Sequence, residues 1–377
     1  ILTVGADIIV ELTVDHFENW NMVGLPLAVE DANVMSVFPD AVENTMYSFG
    51  ENGYEQEQEL AMGAGYWLRF DEEGSNTISG EMVSEITVNL LEDWNMISGC
   101  SESNSGWIDP DELVIPNTLY SFGENGYENA NSIEPGFGYW VRSYGEGQII
   151  ISSDIGLTKS KPVFLDGLKY ANTISFNGNT LYFGVEIPDR EALSYGLPPK
   201  PPAGGFDVRF ADNMKYMKES GMIEVMNSSD QLIISYNVKI DDAKHINWVL
   251  INPATHEEFI LSEQGVLEIS GEISSFELKK VPEIPESFSL SQNYPNPFNP
   301  VTEIQFELPR DDKISLKVYN LKGEEVRNLV SGTYRAGYHT VRWNGTNQDS
   351  EPVASGVYIY MLEAGTFHSV KKLLLMK

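Results

Sequence analysis

The chain has 377 residues, 42% of them hydrophobic, and carries 24 Lys and Arg against 56 Asp and Glu, a net charge of −32. That length accommodates two to four domains with ordinary globular cores. A surface this acidic repels phosphate backbones and anionic leaflets, which argues against nucleic-acid binding and membrane docking; no run reaches the ~18 apolar residues of a membrane span.

The acid is unevenly spread. Residues 1–147 hold 27 acids and two bases, Arg69 and Arg142, whereas residues 283–377 hold 11 acids and 10 bases. The one cysteine, Cys100, excludes an intrachain disulfide. Its acidic neighbours Glu92, Asp93 and Glu102 disfavour a thiolate, so a buried, inert thiol is expected. The chain opens at Ile1 without a signal-peptide pattern, as expected of a processed protein or of the C-terminal part of a longer precursor.

Residues 1–147 contain an internal repeat. VELTVDHFENWNMVG (from Val10) matches SEITVNLLEDWNMIS (from Ser84), YSFGENGYE occurs from Tyr47 and from Tyr120, and GAGYWLRF (from Gly63) matches GFGYWVRS (from Gly136). Apolar and polar residues alternate in ELTV and EITV, the period of a strand. The pairs Asn52-Gly53 and Asn125-Gly126 signal tight hairpins. Two small β units are expected, residues 1–75 and 76–147, packed in tandem as barrels or sandwiches. Trp20, Trp67, Trp94 and Trp140 recur at equivalent positions, which marks core packing. Arg69 and Arg142 each follow a Tyr-Trp-aliphatic triplet and are expected to make a buried or half-buried ion pair or backbone contacts within their own units.

Residues 148–283 show no repeat. Short apolar runs, QIIIS (from Gln148), TLYFGVEI (from Thr180), FDVRF (from Phe206), QLIISYNV (from Gln231), NWVLIN (from Asn247) and SFELKKV (from Ser275), alternate with turn-rich segments. An antiparallel sandwich is expected. The segment GLPPKPPAGG (from Gly196) reads as an ordered loop or edge cover.

Residues 284–377 form the last expected domain. Gln292-Asn-Tyr-Pro-Asn-Pro-Phe-Asn-Pro300 combines three prolines with turn-forming asparagines, so no helix or central strand can cross it, and it reads as a rigid extended lead-in. After it, Ile304, Phe306 and Leu308 alternate with Glu303, Gln305 and Glu307 as in a half-buried strand. About seven strands in this region predict an immunoglobulin-like sandwich. The whole chain is therefore read as all-β: tandem small β units, then two antiparallel sandwiches.

Five motifs of this region occur in order: QNYPNPFNP, VYNLKGEEV (from Val318), G-x-H-x-V-x-W-x-G (Gly337–Gly345), SGVYIY (from Ser355) and KKLLLMK (from Lys371). Together they resemble the type A C-terminal sorting domain of type IX secretion cargo. That resemblance implies an export address, with Tyr294, Pro295, Asn296, Pro297, Phe298, Asn299, Pro300, Gly323, Gly356, Tyr358, Lys371 and Lys372 as signal residues. It implies a type IX translocon and a surface sortase as partners, and an extracellular or outer-surface location on a Gram-negative-type bacterium. The tandem units and the LPPKPPAGGFDVRF segment are similar to modules that precede such domains in large secreted proteins.

No HExxH, GxSxG or phosphate-cradling loop is present, and the histidines, His16, His245, His256, His339 and His368, lack metal spacing. No catalytic residue and no cofactor is expected. The cluster Asp109, Asp111 and Glu112 is the best-placed calcium candidate; a solvated acidic loop accounts for the same residues. The resulting expectation is a non-enzymatic structural or adhesive surface protein, a subunit of a filament or matrix. The alternative is a C-terminal accessory region, such as a carbohydrate-binding one, of a larger secreted hydrolase.

Overall fold

The computed structural model describes residues 9–153, 166–228, 231–239 and 246–376. Among these, every regular element longer than four residues is a strand. The chain divides into two units, one built from residues up to 239 with 248–279, the other mainly from residue 280 onward.

In the first unit, repeat one comprises β1 (Ile9–His16), β2 (Asn19–Gly24), β3 (Leu27–Ala28), a single-turn helix α1 (Val34–Val37), β4 (Tyr47–Gly50), β5 (Gly53–Gln56), β6 (Gly65–Phe70) and β7 (Gly74–Met82). Its sheets run β1-β7-β3 and β2-β6-β4-β5. Repeat two comprises β8 (Glu85–Leu90), β9 (Asp93–Ser98), β10 (Tyr120–Gly123), β11 (Gly126–Asn129), β12 (Gly138–Ser143) and β13 (Gly147–Ser152), in sheets β13-β8 and β11-β10-β12-β9. QIIIS, assigned from the sequence to the third region, is β13 and closes repeat two: Ile149 lies opposite Val88 and Ile151 opposite Ile86. All four side chains are buried in the core of that repeat, which needs this strand as its cover. Likewise β7 carries repeat one to Met82, well past residue 75.

The GENGY hairpins form as expected, but only Gly53 (φ 94°) and Gly126 (φ 96°) are left-handed, not the asparagines before them. The turns are type I with a glycine bulge rather than a left-handed Asn-Gly pair.

The repeats meet through exchanged, equivalent contacts. Gly24 N–H donates to the Gly136 carbonyl at 3.0 Å, and Ser98 N–H to the Gly63 carbonyl at 2.9 Å. Trp67 lies edge-on to Phe122 at 4.7 Å, and Phe49 edge-on to Trp140 at 4.9 Å. Such reciprocity marks an approximate two-fold relation, as at an isologous interface. The glycine spacing of GxGYW, shared by both repeats, serves this approach: a Cβ on Gly65 would stand 2.6 Å from the Ile97 carbonyl oxygen, and one on Gly138 2.8 Å from that of Val23.

The third region adds β14 (Asn172–Phe176), β15 (Asn179–Phe183), a single-turn helix α2 (Asp189–Ala192), β16 (Asp207–Phe210), β17 (Tyr216–Met217), β18 (Gly221–Met226), β19 (Gln231–Asn237), β20 (Ile246–Ile251), β21 (Glu258–Leu261), β22 (Gln264–Ser270) and β23 (Ser275–Pro282). Two five-stranded sheets, β17-β15-β14-β19-β22 and β16-β18-β23-β20-β21, enclose a core that includes Phe176, Phe183, Trp248 and Phe276. It is a sandwich, as expected. The sequence missed β14, β17, β18, β21 and β22: β14 holds only two apolar residues among Asn, Thr and Ser, β17 has two residues, and the other three carry apolar residues on both faces, as with Met222 and Ile223.

The second unit comprises β24 (Ser289–Leu290), β25 (Thr302–Leu308), β26 (Asp312–Tyr319), β27 (Glu325–Tyr334), β28 (Gly337–Trp343), β29 (Gly356–Ala364) and β30 (Phe367–Leu375). Sheets β24-β25-β28 and β27-β26-β29-β30 form a seven-stranded immunoglobulin-like sandwich. Ile304, Phe306 and Leu308 are buried as the alternation predicts.

Candidate functional site

Two constellations gather the residues that the motifs single out, one in each unit.

In the first unit, the proline-rich segment crosses the aromatic surface of the repeats. Trp20 Nε1–H donates to the Ala203 carbonyl (3.0 Å), Asn19 Nδ2–H to Gly204 (2.9 Å), Tyr54 O–H to Lys200 (2.7 Å) and Tyr127 O–H to Pro199 (2.6 Å). Proline cannot donate, so a proline-rich chain presents carbonyls, and the aromatic side chains supply the donors. Behind this strap, Asp207 and Arg209 form a fully buried ion pair at 2.5 Å, and Arg209 also donates to the Pro198 carbonyl and to Asn213 Oδ1, both at 2.8 Å. Burial pushes the Tyr54 and Tyr127 hydroxyls far above the ordinary phenol range, so both remain donors. Nearby, the buried Lys215 donates to Asn129 Oδ1 at 2.5 Å and lies over the Tyr120 ring. Burial lowers its ammonium pKa to about 8.

In the second unit, the two ends of the domain are tied together. Leu374 N–H donates to Asn296 Oδ1 (2.9 Å), Phe298 N–H to the Leu374 carbonyl (2.9 Å) and Met376 N–H to the Phe298 carbonyl (2.9 Å). The Lys372 carbonyl accepts from Gln292 Nε2 at 2.6 Å. The segment is therefore not an extended lead-in. It bends, bridges Glu303 through Tyr294, and clasps the outer edge of β30. Its peptide bonds before Pro295, Pro297 and Pro300 are cis. Below the clasp, the buried Asn293 side chain donates to the Pro295 carbonyl (3.1 Å) and Thr302 Oγ1 (2.9 Å). Phe298 packs on Trp343, and Trp343 on Tyr358, each at 5.5 Å. All five motifs thus contribute to one core, the second of them through the fully buried Val318. Tyr360, not among the residues singled out, carries a central link: its hydroxyl donates to the Ser291 carbonyl (2.7 Å) and accepts from Asn293 N–H (2.9 Å). Burial pushes it up to about 12. Its signal was its place two residues after Tyr358, on the same strand face.

Of the predicted signal residues, only Phe298 and Tyr358 belong to that core; Pro295, Pro297, Asn299, Pro300 and Lys372 are exposed, Lys371 is half-buried, and Asn296 serves the clasp. Gly323 (φ 82°) holds the β26–β27 turn, Gly356 opens β29, and Tyr294 projects 81% exposed. Other candidates resolve into local roles. Both oxygens of Asp109 accept backbone bonds, from Leu113 N–H (2.9 Å) and Val114 N–H (2.8 Å), while Asp111 and Glu112 are exposed. No group of three potential ligating side chains occurs among the described residues. Cys100 is buried and donates to Asn104 Oδ1 at 3.1 Å. Arg142 behaves as expected, half-buried against Asp93 at 2.5 Å and over the Trp94 ring. Arg69 does not: it is exposed, 3.9 Å from Asp71. The difference is cover, since the carbonyl of Leu193 from the third region lies on Arg142.

The family comparison bears on the second unit. Residues 296–366 match the FlgD Ig-like domain family. The matched span stops before β30 and omits Gln292–Pro295. A comparison with proteins of curated function finds no match. Among solved structures, dimeric latent PorU from Porphyromonas gingivalis pairs over 98% of this chain and 32% of its own, at 9% identity and a TM-score of 0.20. PorZ, a surface component of the type IX secretion system of the same organism, pairs over 90% of this chain and 66% of its own, at 10% identity and a TM-score of 0.19. The chain thus spans about a third of the first protein and just under two thirds of the second. TM-scores this low say nothing about this chain's fold.

Proposed function

We propose that the chain is type IX secretion cargo, carried to the outer surface of a Gram-negative-type bacterium or beyond it by its C-terminal sandwich. Its body then acts there as a non-enzymatic structural or adhesive module. The observation that supports this reading is the clasp. Motifs up to about eighty residues apart, from Gln292 to Met376, meet in one hydrogen-bonded knot. An address read on a folded domain needs such a knot, because the signal exists only once both ends are in place. The body fits a load-bearing role. Its two repeats interlock, and the strap fastens them to the sandwich through four side-chain donors, without any disulfide.

The test is localisation of the full chain in a type IX-competent host and in its translocon-deficient derivative. Export to the surface or medium in the first, with periplasmic retention in the second, supports the reading. Equal export in both overturns it. The intact mass of the exported species separates a free-standing surface module from the tail of a larger hydrolase.

A further inference from the structure

We propose that Asn52 is a site of spontaneous covalent modification. Its carboxamide is lost as ammonia through attack by the Gly53 amide nitrogen, so the β4–β5 hairpin of repeat one ages to aspartate and isoaspartate while its twin in repeat two is protected.

The chain contains four Asn-Gly pairs, beginning at Asn52, Asn125, Asn177 and Asn344. Asparagine is chemically labile, and a following glycine has no Cβ to shield its amide nitrogen. That nitrogen gives up its proton and bonds to the asparagine Cγ. The Cγ–Nδ2 bond breaks, the side-chain nitrogen leaves as ammonia with the released proton, and a five-membered succinimide remains. Water then adds to either carbonyl of the ring. Opening at Cγ gives aspartate; opening at the main-chain carbonyl gives isoaspartate. Water is the only co-reactant, and nothing is oxidised or reduced.

The attack requires the rigid peptide plane between the two residues to turn, so its neighbours decide the rate. The two hairpins are locally alike: Gly50 lies opposite Gly53 and Gly123 opposite Gly126, and the second glycines have φ of 94° and 96°. Packing tells them apart. The Asn125 carbonyl accepts from Asn179 Nδ2 at 3.2 Å. A Cβ on Gly126 would stand 3.0 Å from the Phe206 carbonyl oxygen, and the Asn125 carboxamide lies 3.5 Å from where Gly178 would carry one. The plane is pinned on both sides.

The other two pairs are held as well. Asn177 Oδ1 accepts from Ile233 N–H at 2.9 Å, and Asn177 N–H donates to the Ile233 carbonyl at 2.8 Å. Asn344 Oδ1 accepts from Thr346 Oγ1 at 2.7 Å, beside a buried Gly345. Asn52 is exposed, and among the described residues no hydrogen bond holds its side chain. A Cβ on Gly53 would meet nothing within 4 Å.

The modification acts on the strap. Isoaspartate routes the main chain through Cγ and adds an atom to the turn. Across that turn Phe49 lies opposite Tyr54. Phe49 packs edge-on to Trp140 of repeat two, and Tyr54 donates to the Lys200 carbonyl. A shift in the register of this hairpin loosens repeat one from both.

The experiment holds purified full chain at pH 8 and maps its peptides by mass spectrometry, with isoaspartate told from aspartate by its separate elution. Asn52 is expected to convert at least tenfold faster than Asn125, Asn177 or Asn344, and faster again at pH 9, since the amide nitrogen reacts only without its proton. Asn179→Ala, which frees the Asn125 carbonyl, is expected to speed Asn125 severalfold and to leave Asn52 as it was. The melting temperature is expected to fall as Asn52 converts and to hold in Asn52→Gln over the same interval. Conversion of Asn52 no faster than that of Asn125 overturns the proposal. An equal fall in Asn52→Gln overturns the link between the turn and the strap.

Discussion

Tyr54 and Tyr127 occupy equivalent positions in the two repeats, and their hydroxyls donate to consecutive carbonyls of the strap, those of Lys200 and Pro199. The strap therefore crosses the approximate two-fold axis of the repeats between these two residues. One asymmetric peptide satisfies a symmetric pair of donors. Tyr54→Phe is expected to cost about 1 kcal/mol, a typical net loss for one hydrogen bond. It should cost more than Tyr127→Phe, because the Tyr54 hydroxyl also accepts from Trp67 Nε1 at 3.2 Å. Urea denaturation of the two variants and the double variant measures this. Equal stability of all three with the wild type would deny the strap its role.

The approach of the repeats rests on missing side chains. Gly65→Ala and Gly138→Ala would each drive a Cβ against a backbone oxygen, at 2.6 Å and 2.8 Å. Backbone cannot yield as a flexible side chain can, so each is expected to cost more than about 2 kcal/mol. Gly123→Ala, with nothing within 4 Å of its would-be Cβ, is the control and should stay within about 0.5 kcal/mol of the wild type. Thermal melts of the three variants decide the matter.

What the sequence disclosed follows from the range of each interaction. Alternation is local, so β25 was legible from Ile304, Phe306 and Leu308, and the repeat exposed the paired tryptophans. The strap could be read as ordered cover, but not its course, since Trp20 reaches Ala203 across 183 positions of chain. The limits of the repeats were misplaced for the same reason: β13 belongs to repeat two through its pairing with β8, while its sequence reads equally well as the first strand of the next domain. Asp109 looked like a metal ligand because composition cannot show that both its oxygens are taken by backbone amides. The sorting motifs gave their order but not the clasp, which a side chain, Asn296, makes with a strand 78 residues later.

The Asp207–Arg209 pair is 1% exposed on both sides. Removing one partner leaves a buried, uncompensated charge, so Asp207→Asn or Arg209→Met is expected to cost about 3–5 kcal/mol. The double replacement Asp207→Leu/Arg209→Met should cost less than either single one, because no charge is then stranded. A double-mutant cycle by chemical denaturation reads the difference. A strictly additive double variant would show that the two side chains act independently.

Lys215 sets a pH dependence of its own. Its pKa falls from an unfolded value of 10.5 to about 8 in the fold, chiefly through burial, with Asp166 opposing the change. A lysine with a lowered folded pKa binds fewer protons folded than unfolded in the window between those values, so its contribution to stability rises with pH there. Below about pH 8 the buried ammonium is a standing cost of about 3 kcal/mol, since each tenfold loss of proton affinity is worth roughly 1.4 kcal/mol. The tyrosines act in the opposite sense at higher pH. Burial raises the pKa of Tyr120 and of Tyr127, so their contribution to stability falls as unfolded phenols ionise above about pH 10. Stability is therefore expected to climb from pH 8 towards 10 and to decline beyond it. Lys215→Met should remove the climb and raise stability at pH 7, since only Asn129 Oδ1 loses a partner, and that residue is exposed to water. Denaturation midpoints of wild type and Lys215→Met at half-unit intervals from pH 7 to 10.5 test this; parallel curves would mean that the ammonium is as well solvated folded as unfolded.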